Sequence, residues 1–310
     1  MEMMDINWKL ARKKNALHIR AAMIHAIRGF FIDRDYLEVE TPSRIPGPAP
    51  ECNIDAIPSD GWFLHTSPEL CMKRLLAAGY PRIFQITRCF RGGERGTLHI
   101  PEFTLLEWYK SGIDYFRMMG ECEDLIVHVA RSLGHEGKIN YRGRGIDIQT
   151  PWERISVGDA FRRYSSVSLE RALENNRFDE IMVSEIEPNL GKKGPAFLYD
   201  YPVVLGALAR VKKTDPEVAE RFELYMGGLE LANAFSELTD AAEQRARFEE
   251  EQKNRSVSGK APYPMPEKFL SELTNMPESS GIALGVDRLA MILTGSAPID
   301  EVVTFTPEEL

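Results

Sequence analysis

Three glutamates, Glu223, Glu230 and Glu237, recur at intervals of seven around the dipeptide Gly227-Gly228. A Gly-Gly pair between two strand-like runs predicts a tight hairpin turn. In such a hairpin Tyr225 faces Glu230 across the strands, and Glu223, two residues from Tyr225, shares that face. Two carboxylates then converge on one patch, and hard oxygen ligands of this kind suit Mg²⁺ held against phosphate oxygens. An exposed sheet face salted with acids is the bland alternative. Glu237 breaks the alternation, so a bulge or a strand end is needed to aim it inward.

Any phosphate must be handled outside the familiar loops. The chain has no G-x-x-x-x-G-K-[ST], no G-x-G-x-x-G after a strand and no H-E-x-x-H. Arginines presented on a sheet are the remaining candidates, because the guanidinium offers a rigid fork that pairs with phosphate oxygens. The four cysteines, Cys52, Cys71, Cys89 and Cys122, are widely spaced, with no C-x-x-C pair and no histidine grouping. That pattern does not suggest zinc and reads as reduced thiols in the cytosol.

Composition sets outer limits. The 310 residues are 43% hydrophobic and 27% charged, ordinary for a soluble globular protein. The opening MEMMDINWKL carries Glu2 and Asp5 and no apolar core, and no later stretch approaches 18 uncharged apolar residues. Neither a secretion signal nor a membrane span is expected, which places the chain in the cytoplasm. Net charge is -9, from Asp+Glu 47 against Lys+Arg 38, and this leans against extended contact with nucleic-acid phosphates.

The elements that must position these residues read as α+β: an antiparallel sheet braced by helices, in one domain spanning 1–310. Leu17, Ala21, Ile24, Ile27 and Phe31 recur at spacings of three and four and predict an amphipathic helix from Lys9 to Phe31. Tyr36 to Val39 reads as a short strand, and Pro42, Pro46, Pro48 and Pro50 force an extended connector. Pro68 to Ala78 reads as a helix with Ser67 as its cap. Ile83–Phe90 and Phe103–Tyr109 read as a long hairpin. Ile113 to Gly134 and Val157 to Asn175 look helical, and strands resume at Phe197–Val204 and Phe222–Phe235.

At this point the residues carry a resemblance. FQITRCFRGGERGTLHIPEFTLLEWY, from Phe84 to Tyr109, resembles motif 2 of class II aminoacyl-tRNA synthetases. GIALGVDRLAMIL, from Gly281 to Leu293, resembles motif 3, and FFIDRDYLEVETPSRIPGP with its preceding helix resembles motif 1. HTSPELCMKRLL and ERFELYMGGLELANAFSELTDAAEQRARFEE are similar to blocks of the lysine-specific branch. The chain reaches its motif 1 helix almost at once, leaving no room for the anticodon-binding OB-fold that lysyl-tRNA synthetases place ahead of it. It is therefore most similar to the stand-alone paralogues of that branch, the elongation factor P β-lysine ligases.

The resemblance implies activation of β-lysine or lysine with ATP and Mg²⁺, transfer to a lysine of elongation factor P, and a homodimer built on motif 1, with tRNA an unlikely partner. It implies that Arg91 meets the α-phosphate, Arg288 the γ-phosphate and Phe103 the adenine. Gly92, Gly93, Glu94, Leu231 and Gly285 complete the expected ATP site, with Glu230 at the phosphates and Glu223 and Glu230 as metal ligands. Ser67, Pro68, Glu69, Tyr109 and Asn233 are the implied amino-acid contacts, with Glu237 receiving a side-chain ammonium.

Three departures stand out. Gly93 sits where the family motif usually has Glu, with the acid one place later at Glu94; Ile100 replaces an Asn; Ala283 replaces the glycine typical of lysyl-tRNA synthetases. The extra methyl at Ala283 is expected to shift substrate choice by about 1–3 kcal/mol. Two other functions stay in play: a truncated synthetase that charges tRNA, and an idle paralogue acting as a regulatory binding module. The acidic balance and the absent OB-fold weigh against the first, and the joint presence of Arg91, Arg288, Glu223, Glu230 and Glu237 against the second.

Overall fold

A computed structural model describes residues 8–206 and 208–310. The opening residues 1–7, read above for the absence of a leader, lie outside the described residues.

Nine strands form the main sheet: β1 (Leu37–Glu38), β2 (Arg82–Phe90), β3 (Glu102–Ser111), β4 (Glu153–Ser156), β5 (Ala196–Pro202), β6 (Val211–Lys212), β7 (Asp215–Met226), β8 (Leu229–Ser236) and β9 (Ser279–Gly285). Their order is β1-β2-β3-β9-β8-β7-β5-β4, with β6 paired to β7. The six central strands are antiparallel, as expected. Both edges differ from that expectation, because β1 runs parallel to β2 and β4 parallel to β5. The sheet is thus mixed: a long connection, not a hairpin, delivers each edge strand.

Period-two alternation gives the central strands one apolar and one polar face. Residues paired across a sheet share a face, so two registered rows define the back: Phe84, Trp108, Ile282, Ala234, Phe222, and Leu106, Leu284, Ala232, Leu224. These side chains enter the largest core, where Phe31 stacks on Phe84 at 4.7 Å between ring centroids. Helices Lys14–Ile32, Tyr115–Ser132 and Val286–Thr294 cover this face. The intervening rows define the front: Glu107, Ala283, Asn233, Glu223, and Tyr109, Gly281, Phe235, Arg221. A second layer of helices, Glu69–Ala77, Ala241–Val257 and Glu267–Leu273, packs through Met72, Leu76, Phe248 and Phe269 beside this front.

Several boundaries differ from the sequence reading. The first helix is broken at Lys13 into Trp8–Arg12 and Lys14–Ile32. Its buried stripe is Met23, Ile27, Phe30 and Phe31, while Ala21 is exposed, so the true apolar face is rotated from the one inferred. The expected helix Val157–Asn175 is two, Val157–Tyr164 and Leu169–Glu174, because Ser168 caps the second by accepting from Arg171 N. Helix Ala241–Val257, capped by Asp240, was not anticipated; its weak apolar periodicity hides it among charged residues.

The hairpin at Gly227-Gly228 has φ of 63° and 80°, the left-handed pair that glycine supplies without strain. Tyr225 pairs with Glu230 as anticipated, and a register shift between Leu224 and Tyr225 keeps Glu223 opposite Asn233 on the same face.

Candidate active site

The front of the sheet is the floor of a cavity of about 710 Å³. This is within the range of small-molecule sites and large enough for a nucleotide with an amino acid beside it. All eight residues of the two front rows line it. So do Ser67, Glu69, Arg91, Glu94, Phe103, Glu230, Leu231, Gly285 and Arg288. Pro68, Gly92, Gly93 and Glu237 are not on its wall.

At one end lie the arginines. Arg91 leaves the end of β2, with its guanidinium 5.0 Å from the Phe103 ring centroid and 3.9 Å from Glu94. Its Nε is buried and has no hydrogen-bond partner among the described residues. A buried donor without an acceptor costs free energy unless a ligand supplies one. Arg288, in the first turn of helix Val286–Thr294, donates to the Glu230 carbonyl at 2.8 Å and lies 2.7 Å from His99 Nε2. Burial and Arg288 hold His99 below its ordinary pKa, so its ring is neutral and accepts from the guanidinium.

The glycines of this loop have an unexpected partner. Gly92 N donates to Asp55 O at 2.6 Å, and a Cβ at Gly92 would come within 3.3 Å of that carbonyl. Gly93 has φ of 77°. The close approach that Gly92 permits is therefore to the chain's own segment around Asp55, whereas Gly93 serves its left-handed backbone. Ile100, the second departure, is buried against the core.

In the middle, Glu223 Oε2 accepts from Tyr201 at 2.5 Å and Tyr225 at 2.6 Å, and Oε1 accepts from Arg221 at 2.6 Å. Glu230 is partly open to the cavity, and burial followed by repulsion from Glu223 pushes its carboxyl up to about 7. No group of three or more metal-type ligands occurs among the described residues. Two neighbouring carboxylates that repel each other still fit a hard cation whose remaining ligands are phosphate oxygens and water, the way Mg²⁺ is usually held.

The other end is more heavily charged than the sequence suggested. The helix starts at Glu69 with Pro68 at its N-cap and no side-chain cap, so Ser67 is not the cap expected; its Oγ accepts from Glu69 N at 3.0 Å and donates to Glu107 at 2.6 Å. Tyr109 donates to the other Glu107 oxygen at 2.9 Å. Behind them Lys73, 1% exposed, lies 2.5 Å from Glu69 and 2.5 Å from Glu237. Glu237 falls just past the end of β8, which supplies the strand end its broken alternation required. Its Oε1 has no hydrogen-bond partner, and a Cβ on Gly281 would come within 2.4 Å of that oxygen and 2.3 Å of the Tyr109 ring. Only glycine at 281 avoids a clash with both. Burial with repulsion from Glu69 pushes Glu107 up to about 7, and burial, opposed by Lys73 and helped by Glu69, pushes Glu237 up to about 8.

Two members of this pocket escaped the sequence reading. Glu107 lies two residues before Tyr109 and so must share its face, and Lys73 lies one helical turn after Glu69. Both signals were available from spacing alone.

The family pattern described as tRNA synthetases class II (D, K and N) matches residues 2–309. A protein of Erwinia tasmaniensis named elongation factor P--(R)-beta-lysine ligase is 38% identical over 339 residues, covering 97% of each chain. Proteins of the same name from Pectobacterium atrosepticum and Edwardsiella ictaluri are each 38% identical, over 97% of this chain and 98% and 97% of theirs.

Proposed function

The chain belongs to the class II tRNA synthetases of the D, K and N group, and from that premise we propose that it activates (R)-β-lysine as its adenylate and passes the acyl group to a lysine ε-amine of translation elongation factor P. It is an ATP-dependent amino-acid ligase. The observation that carries the substrate class is the pocket of three carboxyl groups, Glu69, Glu107 and Glu237, around the single ammonium of Lys73. Fully ionised, three against one leaves a surplus of two negative charges, which suits an amino acid bearing two ammonium groups. The names of the relatives supply the acceptor and the β-isomer.

In this reading the substrate carboxylate attacks the α-phosphorus of ATP, and Arg91 and Arg288 offset the charge that gathers on the phosphate oxygens. Phe103 offers its ring to adenine, beside Glu94, Leu231 and Gly285. Glu223 and Glu230 would hold Mg²⁺, which neutralises and orients the phosphates. Ser67, Tyr109 and Asn233 orient the amino acid, and Ala283, facing Glu107 and Asn233, narrows the floor. The single-domain reading is kept, and a chain that modifies a translation factor works in the cytoplasm.

The test is pyrophosphate exchange with a panel of lysine isomers, followed by intact mass of elongation factor P and, separately, of labelled total tRNA. Exchange strongest with (R)-β-lysine and a gain of one lysyl unit on the protein are expected. Labelling of tRNA with none on the protein sinks the reading. Glu230→Gln is expected to keep the fold but lower exchange about 10²-fold and raise the Mg²⁺ needed for half-maximal rate. Wild-type Mg²⁺ dependence would remove the metal assignment.

We also propose an isologous homodimer through the motif 1 segment, where Ile32 and Leu37 are 58% and 49% exposed. Light scattering at micromolar concentration should return twice the mass of one chain; a monomer there counts against it.

A further inference from the structure

Resting on the acceptor reading above, we propose that Glu51 is the proton acceptor for the incoming lysine amine in the transfer step. The need is chemical. A lysine ε-amine arrives as an ammonium at neutral pH and has no lone pair with which to attack. The other carboxylates of the site have partners or another assignment: Glu69 and Glu237 pair with Lys73, Glu107 accepts from Ser67 and Tyr109, Glu223 accepts from two tyrosines and Arg221, and Glu230, beside Arg288, is assigned with Glu223 to the metal.

Glu51 lies on the cavity wall in the connector that follows Pro50. Its half-buried side chain makes no hydrogen bond or ion pair with any described residue. The charged groups facing it are Arg91 and Arg221 from the sheet side, Glu69 from helix Glu69–Ala77 and Glu251 from helix Ala241–Val257. Glu51 thus lines the same cavity as Arg91, assigned to the α-phosphate, and Glu69, assigned to the amino acid, and feels the charge of both.

The segment is held from two sides. Arg255 donates to Glu51 O at 2.8 Å and to Ile54 O at 2.9 Å, Cys52 N donates to Glu251 at 2.8 Å, and Lys260 donates to Cys52 O at 3.0 Å. From the other side Gly92 N grips Asp55 O. A loop pinned through its backbone, with one carboxylate left unpaired, is what positions a base. Burial pushes that carboxyl up to about 7; Arg91 opposes the rise, and Glu69 and Glu251 add to it. A base with a pKa near the working pH is the most effective.

The step balances as follows. The acceptor ammonium gives one proton to Glu51, and the freed lone pair forms the C–N bond to the acyl carbon. The C–O bond to the α-phosphate breaks with its electron pair on the departing phosphate of AMP. That phosphate takes the second proton from nitrogen, leaving a neutral amide.

The test separates the half-reactions in Glu51→Gln, which is close to isosteric. Single-turnover transfer from enzyme-bound adenylate to elongation factor P should fall about 10²-fold more than pyrophosphate exchange does. Wild-type transfer should level off above pH 7, where Glu51 is already ionised, whereas the variant should keep climbing with pH toward the pKa of the amine itself. Hydroxylamine, a neutral nucleophile that needs no base, should cleave the adenylate equally fast in both. Equal falls in transfer and exchange, or a variant profile that levels off like wild type, overturn the role of Glu51. A wild-type enzyme that exchanges pyrophosphate and yields to hydroxylamine but transfers nothing to elongation factor P fails the acceptor reading instead.

Discussion

Replacing Arg91 with alanine is expected to lower pyrophosphate exchange by about 10²- to 10³-fold while leaving the chain folded, the loss typical when one preorganised donor to a developing oxyanion is removed. The two arginines of the site are not equivalent. Arg288 is already committed to Glu230 and His99, so its removal frees the hairpin and the loop as well as a charge. Arg91 spends its guanidinium on an aromatic face and a distant Glu94, and its Nε has no partner. Contacts of that kind contribute about 1 kcal/mol or less to folding, so little stability goes with them. The loss should therefore appear in rate and not in melting temperature. Arg91→Lys should recover only part of it, because an ammonium cannot reproduce the two-point fork. Circular dichroism and exchange kinetics on the two variants check this, and a fall below tenfold in Arg91→Ala removes Arg91 from the phosphate site.

What sequence made legible here followed from periodicity. Alternation along β7 and β8, with a Gly-Gly turn between them, puts Glu223, Tyr225 and Glu230 on one face, and the observed register agrees. The same rule extended to β3 would have delivered Glu107 beside Tyr109. Illegible features depended on contacts between distant segments. Nothing local to Gly92 says that its amide meets Asp55, and nothing local to Glu51 says that Arg255, some two hundred residues away, holds its carbonyl. The broken helix after Val157 and the rotated face of Lys14–Ile32 were missed for a related reason. A hydrophobic count over a window cannot see a serine that caps a second helix, nor decide which side of a mixed apolar surface meets the sheet.

Lys73→Met is expected to destabilise the fold by about 3 to 5 kcal/mol, the cost of leaving buried charge without its partner. Burial alone would lower the Lys73 pKa, but Glu237 and Glu69 outweigh it, so the ammonium stays charged well above neutral pH. Without it, Glu69, Glu107 and Glu237 face one another with no cation among them. The folded-state pKa values of Glu107 and Glu237 then rise further above the unfolded ones, and a carboxyl raised in this way loses stability as pH climbs from its unfolded pKa toward its folded one. The gap between wild type and variant should therefore be steady from pH 5 to about pH 7, where Glu107 begins to ionise in wild type but not in the variant, and widen through pH 8 and above, where Glu237 does the same. Denaturant titrations across that range measure it. Adding Glu237→Gln should restore part of the loss, since one fewer carboxylate then needs a cation. A diamino acid should raise the melting temperature of Lys73→Met more than that of wild type, because its ammonium supplies the missing charge to the folded state alone. A pH-independent gap under 1 kcal/mol would mean that Lys73 is not the counter-ion on which the charge of the pocket depends.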